Sequence, residues 1–524
     1  MKTRELFFAV ALFLSSAGGL IIEIVAGRLI APYVGMSLYT WTAIIAVVLA
    51  GLSVGHWIGG LMAGSRVTAD TASRRLAAAL ALAGVTSLAS LVLLRVLSGP
   101  LMTSGFSPVA VVVLLSTALF LLPSLFVGIV APILTKLAID ARPDEPGHVL
   151  GRMFAIGTLG SIAGTLGAGY FFISWLGSIG TVLVVAATYF VLAALFALTG
   201  RLTNGRWTGA ALAILVTGTG VAVWGDRVAA FKSPCTHESD YFCIRIDDFT
   251  SYTGRPSALM ALDHLVHSIN DRDDPQLLYS PYIHFVDEYR QKRFADRSVQ
   301  EPFSAFFIGG GGFSLPRAWA DAMPKSRLVV AEIDPAVTAL ARDAMWLNSE
   351  HPAFNIRHED ARSVLQSLPA EPSFDVVFGD AFHDISVPAH LVTREFHGEI
   401  AKRLRPGGFY TINVVDHGGE PIFLAALVHT LGLDFNTVEV WVGDEEMAAV
   451  LARKGQRVTY IVVAGNSGYD RNRLFASNGI DEHWVKWPVS SLMEHAGNDI
   501  PVLTDDFAPV DRLMSRLMLA PEEL

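Results

Sequence analysis

The sequence predicts two joined parts. The first is an α-helical, multi-span membrane module. The second is an α/β, Rossmann-like domain fronted by a small N-terminal β-hairpin segment. Three observations predict this. Charged residues are only 17% of the 524-residue chain and hydrophobic residues are 52%, whereas soluble proteins carry roughly a quarter charged residues. The charge deficit is concentrated between residue 5 and about 224. Downstream, short apolar runs alternate with helix-length segments, and one of them, FFIGGGG, closes in four glycines at 309–312. The parts are placed at 1–226, 231–300 and 301–524.

Seven stretches in the first part reach the roughly 20 apolar residues that a spanning helix needs. They lie near 5–32, 38–63, 76–97, 108–135, 152–175, 178–199 and 207–224. The N-terminus has the basic, apolar and small-residue order of a signal peptide. Its apolar run continues through LIIEIVAGRLIAP, however, which favours an uncleaved first span. Lys2 and Arg4, then Arg66, Arg74 and Arg75, then Lys136, Arg142 and Arg152, then Arg201 and Arg206 fall in alternate loops. Such asymmetry places the N-terminus in the cytoplasm. Seven crossings then put the second part outside the cytoplasm, in a multi-pass protein of the cell inner membrane. Cys235 and Cys243, eight residues apart, suit a hairpin disulfide in an oxidising compartment. The alternative is two unrelated small buried residues. His237 beside them does not complete a zinc set, so no metal is expected.

Glu23 is a carboxylate inside a span, which marks either a functional site or an ion pair with Arg28. Gly157, Gly160, Gly164, Gly167 and Gly169 recur at close helical spacing, as helix packing requires. Pro123 and Pro132 suggest a kink in the fourth span. The net charge of −10, with no basic run interleaved with aromatics, excludes a nucleic-acid partner.

In the second part, YFCIRIDDF, ALMALDHLVHS and YSPYIHFVDEYR read as one or two hairpins leading into a helix. From 303 onward strands and helices alternate, which predicts a mostly parallel sheet with helices on both faces. Ligands in such sheets bind beyond the carboxyl ends of the strands. Those ends carry Gly309, Gly310 and Gly311, then Glu332, Asp360 and Asp380. A glycine turn brings bare backbone N–H groups to a ligand, and an acid ending the next strand can bind ribose hydroxyls. His264, His267 and His284 read as ordinary partly buried residues, and Arg403 and Arg405 as a solvated helix end.

The glycine turn after FFI, then AEID, HEDAR, GDAFHDISVPAHLVTREF and RLRPGG, resemble the spermidine synthase family. ESDYFCIRI, LDHLVHS, LTDDFAPVDRL and GRMFAIGTLGSIAGTLGAG are similar to its bacterial branch with a membrane-fused domain, so the resemblance covers nearly the whole chain. It implies a methyltransferase/spermidine-synthase fold and a polyamine aminopropyltransferase. The co-substrate would be decarboxylated S-adenosylmethionine or a related S-adenosyl nucleotide. The acceptor would be a polyamine such as putrescine, or another small cationic amine. The implied partners are this amine and the lipid bilayer, with a homodimer allowed for. Glu332 would hold the ribose, and Asp360 with Ala361 the adenine. Asp380 would deprotonate or orient the attacking amine, with Asp384 and Tyr279 beside it in the catalytic set. Tyr241, Asp263, Tyr282 and Asp505 would shape the amine pocket; Asp505 and Asp506 read equally well as a helix cap.

Two positions depart from the family pattern. Gly312 stands where the family's GGGDG turn has its Asp, and Asp380-Ala-Phe-His383-Asp384 replaces Asp-Ser-x-Asp-Pro. Both touch the transferred group and its acceptor, while the nucleotide signals stand. Two other readings therefore stay open. One is a transporter or flippase whose α/β domain senses nucleotide or polyamine, and the other is an S-adenosylmethionine-dependent methyltransferase.

Overall fold

The computed structural model of the protein describes residues 3–64, 66–199, 205–382, 387–452, 456–477, 482–497 and 499–519. The chain divides into two compact units, Met1–Asp240 and Tyr241–Leu524.

The first unit is helical: α1 (Thr3–Val34), α2 (Leu38–Met62), α3 (Ala69–Met102), α4 (Pro108–Ala141), α5 (Pro146–Gly167), α6 (Ile173–Thr199) and α7 (Gly205–Arg227). Hydroxyl caps start three of them. Ser37, Thr68 and Ser107 accept the N–H groups of Thr40, Thr71 and Ala110, satisfying donors that an opening turn leaves without partners. Among the described residues, six helical stretches are long and apolar enough to cross a membrane. One of them, Pro146–Thr199, has 54 residues. At 1.5 Å per residue it would be about 81 Å long, more than twice a bilayer's apolar thickness.

That stretch folds back on itself as two helices. Gly160 and Gly164 of α5 sit on Phe13 and Ala17 of α1, so α5 runs alongside α1. In α6, Tyr189 reaches Ser15 while Phe196 stacks near Phe7 and Phe8, so α6 runs against α1. The chain reverses at Gly177, whose φ of 67° and ψ of 173° break the helix. Among the described residues the unit thus has seven long helices, with the fifth and sixth joined tightly. Glycine stripes make the contacts close. A Cβ on Gly55 of α2 would lie 2.1 Å from the Leu125 carbonyl oxygen of α4, so only glycine fits there. Glu5, 2% exposed, pins the bundle end by ion-pairing with Arg142 at 3.0 Å and accepting from Arg152 at 3.3 Å. Arg28 donates to the Ser239 carbonyl at 2.5 Å. Glu23 makes no hydrogen bond or ion pair among the described residues, so the anticipated Arg28 pair does not form. The unit ends beyond a two-residue strand, β1 (His237–Glu238). Cys235 and Cys243 are both disulfide-bonded.

The second unit opens with antiparallel strands β2 (Cys243–Asp248), β3 (Ser257–Leu262) and β4 (Leu265–Asp271), with a one-turn helix α8 (Thr250–Thr253) between the first two. Helix α9 (Pro281–Arg293) follows. Strands β5 (Ser304–Ile308), β6 (Arg327–Ala331), β7 (Phe354–Arg357), β8 (Phe374–Gly379) and β9 (Leu404–His417) form the parallel half of a nine-stranded sheet. Helices α10 (Ser314–Ala322), α11 (Pro335–Ala344), α12 (Ala361–Ser367) and α13 (Arg394–Arg403) connect them, and α14 (Ile422–Leu431) follows β9.

β10 (Thr437–Gly443), β11 (Arg457–Gly465), β12 (Arg473–Phe475) and β13 (His483–Trp487) extend the sheet by antiparallel pairing. The sheet is therefore half antiparallel rather than mostly parallel. Its order is β12-β13-β10-β11-β9-β8-β5-β6-β7. From β5 the chain winds outward to β7, then returns to β8 on the other side. That places a topological switch point between β5 and β8, where open α/β sheets bind ligands. Arg403 is not solvated as anticipated. It is 2% exposed, paired with Glu399 at 2.7 Å and donating to the Leu368 carbonyl at 2.8 Å.

Candidate active site at the strand ends

The glycine turn fills the switch point. Buried β5 delivers the chain to Gly309, whose φ of 96° suits glycine alone. A Cβ there would stand 2.8 Å from the Asp380 carbonyl oxygen, so the ends of β5 and β8 approach closely only through glycine. The turn continues through Gly310 and Gly311 into α10, whose first turn leaves N–H groups without helical partners.

Glu332 ends β6 and is 5% exposed. Its carboxylate accepts the N–H groups of Gly310 at 2.9 Å, Gly311 at 3.2 Å and Asp334 at 2.9 Å. Burial raises its pKa against the pull of those bonds. A carboxylate offers about four acceptor sites, so Glu332 already spends most of them shaping the turn.

Asp360 caps α12, accepting from Ser363 N–H at 3.0 Å, and pairs with His390 at 2.7 Å. Burial would raise its pKa, but the His390 and Ser363 bonds outweigh it and the net shift is downward. Ala361 follows as the buried first residue of the helix.

Asp380 ends β8. The Tyr282 hydroxyl donates to one carboxylate oxygen at 3.0 Å and the Asn413 amide to the other at 3.0 Å. Gly379 pairs with Ile412 in the β8–β9 register, which sets Asp380 beside Asn413. Burial pushes Asp380 up to about 6, although both donors pull it down. The same burial, with the neighbouring carboxylate, raises Tyr282 well above its ordinary value. Among the described residues this acid has neutral donors and no paired cation. It is ionised at neutral pH and can hold a cationic amine or take its proton.

Other anticipated site residues have different surroundings. The Tyr279 hydroxyl donates to Asp271 at 3.0 Å, not to Asp380. Asp271 is buried and also paired with Arg255 at 2.7 Å, so Tyr279 belongs to a structural cluster. Asp263 occupies the β3–β4 turn with φ 52° and accepts the Cys243 N–H at 3.0 Å, which fixes the hairpin. Tyr241 is 43% exposed and stacks near Phe242. Asp505 is gripped by both Arg362 nitrogens at 2.7 and 2.6 Å and by Thr393 at 2.8 Å. Chiefly through Arg362, its pKa is held down at about 2. It anchors the C-terminal segment to α12, two residues from Asp360. Asp384 lies outside the described residues.

Gly312 has a physical reason. A Cβ there would lie 2.6 Å from Ser268 Cβ and 2.9 Å from the Met345 methyl group. Ser268 accepts the Gly312 N–H at 2.8 Å, and Asn270 donates to its carbonyl at 2.7 Å. The front sheet therefore clamps the turn where an Asp side chain was expected. Ser268, Asn270, His390 and Asn413 escaped the sequence reading. The signal for Asn413 was a polar residue inside the apolar strand FYTINVV.

No family model matches the chain. The polyamine aminopropyltransferase of Vibrio vulnificus is 32% identical over 124 residues, 22% of this chain and 41% of that protein. The polyamine aminopropyltransferase 1 of Streptomyces coelicolor is 25% identical over 436 residues, 79% of this chain and 76% of that protein. The second match is longer than either compact unit, whereas the first spans less than half of the relative. Among solved structures, a probable spermidine synthase from Corynebacterium glutamicum aligns with a TM-score of 0.44 and 22% identity, covering 52% of this chain and 97% of that one. The chain is thus similar to polyamine aminopropyltransferases and spermidine synthases, over 22% to 79% of its length.

Proposed function

We propose that the protein is a membrane-bound aminopropyltransferase. It would move the aminopropyl group of decarboxylated S-adenosylmethionine to a small cationic amine such as putrescine. The observation that carries this reading is Asp380, a half-buried strand-end acid held by Tyr282 and Asn413 beside the glycine turn. Transfer requires a neutral amine nitrogen to attack the carbon next to the sulfonium. The new C–N bond forms, the C–S bond breaks, methylthioadenosine leaves, and Asp380 takes the amine proton or passes it to water. The sulfonium is already an activated leaving group, so alignment and charge placement supply most of the rate. Gly309, Gly310, Gly311, Glu332, Asp360 and Ala361 would hold the nucleoside. Tyr282 would share the amine site, while Tyr279 and Asp505 would support it from their ion-pair clusters.

The test is direct. Purified protein is incubated with putrescine and either the decarboxylated or the ordinary nucleotide. Methylthioadenosine that vanishes in Asp380→Asn supports the reading. S-adenosylhomocysteine as the product would mean a methyltransferase, and tight nucleotide binding without turnover would mean a sensor. Glu23, without a hydrogen bond among the described residues, favours the second reading, a transporter governed by the α/β domain; polyamine flux lost in Glu23→Gln would support it. The basic-residue asymmetry and the disulfide support an extracytoplasmic α/β domain at the inner membrane. Labelling of Cys235 and Cys243 in intact cells only after reduction would agree. Labelling without reductant and only after permeabilisation would reverse the placement.

A further inference from the structure

We propose that the cleft between α3, α6 and α7 holds one anionic phospholipid of the surrounding bilayer, with an acyl chain in the cleft and the phosphate at Arg74. This rests on the membrane reading of these helices and is independent of the transferase reading.

Gly225 of α7 meets Val92 of α3, and Gly218 meets Val85, so the two helices run in the same direction. A cleft opens between them and α6. The opening measures about 690 Å³ and is walled by small apolar side chains, among them Ala77, Ala81, Ala194, Ala197 and Ala211. Among the described residues lining it, Arg74 is the one charged side chain, and its Nε donates to the Asp70 carbonyl at 3.2 Å.

Magnitudes choose the occupant. Along α3 the cleft runs from Arg74 to Leu88, about 21 Å at helical rise. That exceeds the roughly 15 Å of one leaflet. Dividing the volume by this length gives a mean cross-section of about 33 Å². A helix about 10 Å across needs roughly 80 Å², so a second copy of α7 does not fit, whereas one extended hydrocarbon chain does. Arg74 lies near the start of α3, with Arg75 beside it donating to the Met62 carbonyl. A guanidinium there lies at headgroup depth, where basic side chains between spanning helices hold lipid phosphates.

The experiment uses the full chain in mild detergent, with native mass spectrometry after titration with phosphatidylglycerol or phosphatidylcholine of equal chain length. One retained phosphatidylglycerol per chain is expected, preferred about fivefold, the effect of one basic side chain on an anionic headgroup. Arg74→Gln should abolish the preference and Arg74→Lys should keep most of it. Ala194→Trp should evict both lipids while the chain stays monodisperse on size exclusion. Ala81→Leu, a milder filling, should weaken retention in the same direction if the Trp variant fails to fold. Equal retention of the two lipids by the wild type, unchanged selectivity in Arg74→Gln, or retention undisturbed by both filling variants would overturn the proposal. So would an Ala194→Trp chain that loses an oligomer and keeps its lipid.

Discussion

Glu5 is a buried acid and Asp380 a half-buried one, and the molecule treats them oppositely. Glu5, at the end of the helical bundle, is gripped by two arginines from the end of α4 and from α5. Asp380, at the switch point of the sheet, is held by a phenol and an amide. A carboxylate paired with cations is a fastener, because removing it leaves positive charge buried and uncompensated. A carboxylate steadied by neutral donors keeps its charge available for a cation that arrives from solution. Asp505 and Asp271, gripped by Arg362 and Arg255, stand with Glu5. Partner type, more than burial, separates the structural acids from the candidate working one.

The sharpest way to break this comparison is Asp380→Asn. The rate of methylthioadenosine formation should fall about a thousandfold, within the range of a lost acid–base group, with the melting temperature held or raised. A large loss of stability would put Asp380 among the fasteners. Gly309→Ala should cost about 2 kcal/mol through its left-handed backbone, and nucleotide binding by calorimetry should weaken at least tenfold. Glu5→Gln should do the opposite of Asp380→Asn. Thermal stability in detergent should fall by about 2 kcal/mol, allowing for the partial exposure of Arg142, with kcat unchanged.

Asp380 also predicts a pH profile. Its folded-state pKa is raised to about 6, so the folded chain binds this proton more tightly than the unfolded chain. The group's contribution to stability is therefore present below the unfolded value and lost as pH rises through about 6. Activity runs the other way, failing below about pH 6 as the carboxylate is neutralised. Tyr282→Phe removes a donor that lowers this pKa, so the acid limb should move upward and the rate should fall about tenfold. Tyr279→Phe should give the smallest effect, about twofold or less in rate, because its hydroxyl serves Asp271.

Much of this was legible in the chain. Apolar stretches of spanning length, the glycine turn and the strand–helix alternation depend on local pattern, and local pattern is written residue by residue. FFIGGGG and AEID therefore located the ends of β5 and β6 before any contact was known. The antiparallel edge strands were missed because pairing direction depends on which distant strand is adjacent. Tyr279 and Tyr282 illustrate the same limit. They lie three residues apart in one apolar-aromatic segment, and only the fold sends one to Asp271 and the other to Asp380.

By itself, then, the sequence determined the two-part architecture, the strand ends and the acids on them, because periodicity and turn chemistry act over a few residues. Tertiary structure alone decided which acids are spent and which remain available. It turned Glu332 onto the glycine turn, gave Asp505 to Arg362, closed the space at Gly312 with Ser268, and left Asp380 between two neutral donors. Those outcomes depend on side chains far apart in the chain, whose partners exist only once the elements have packed.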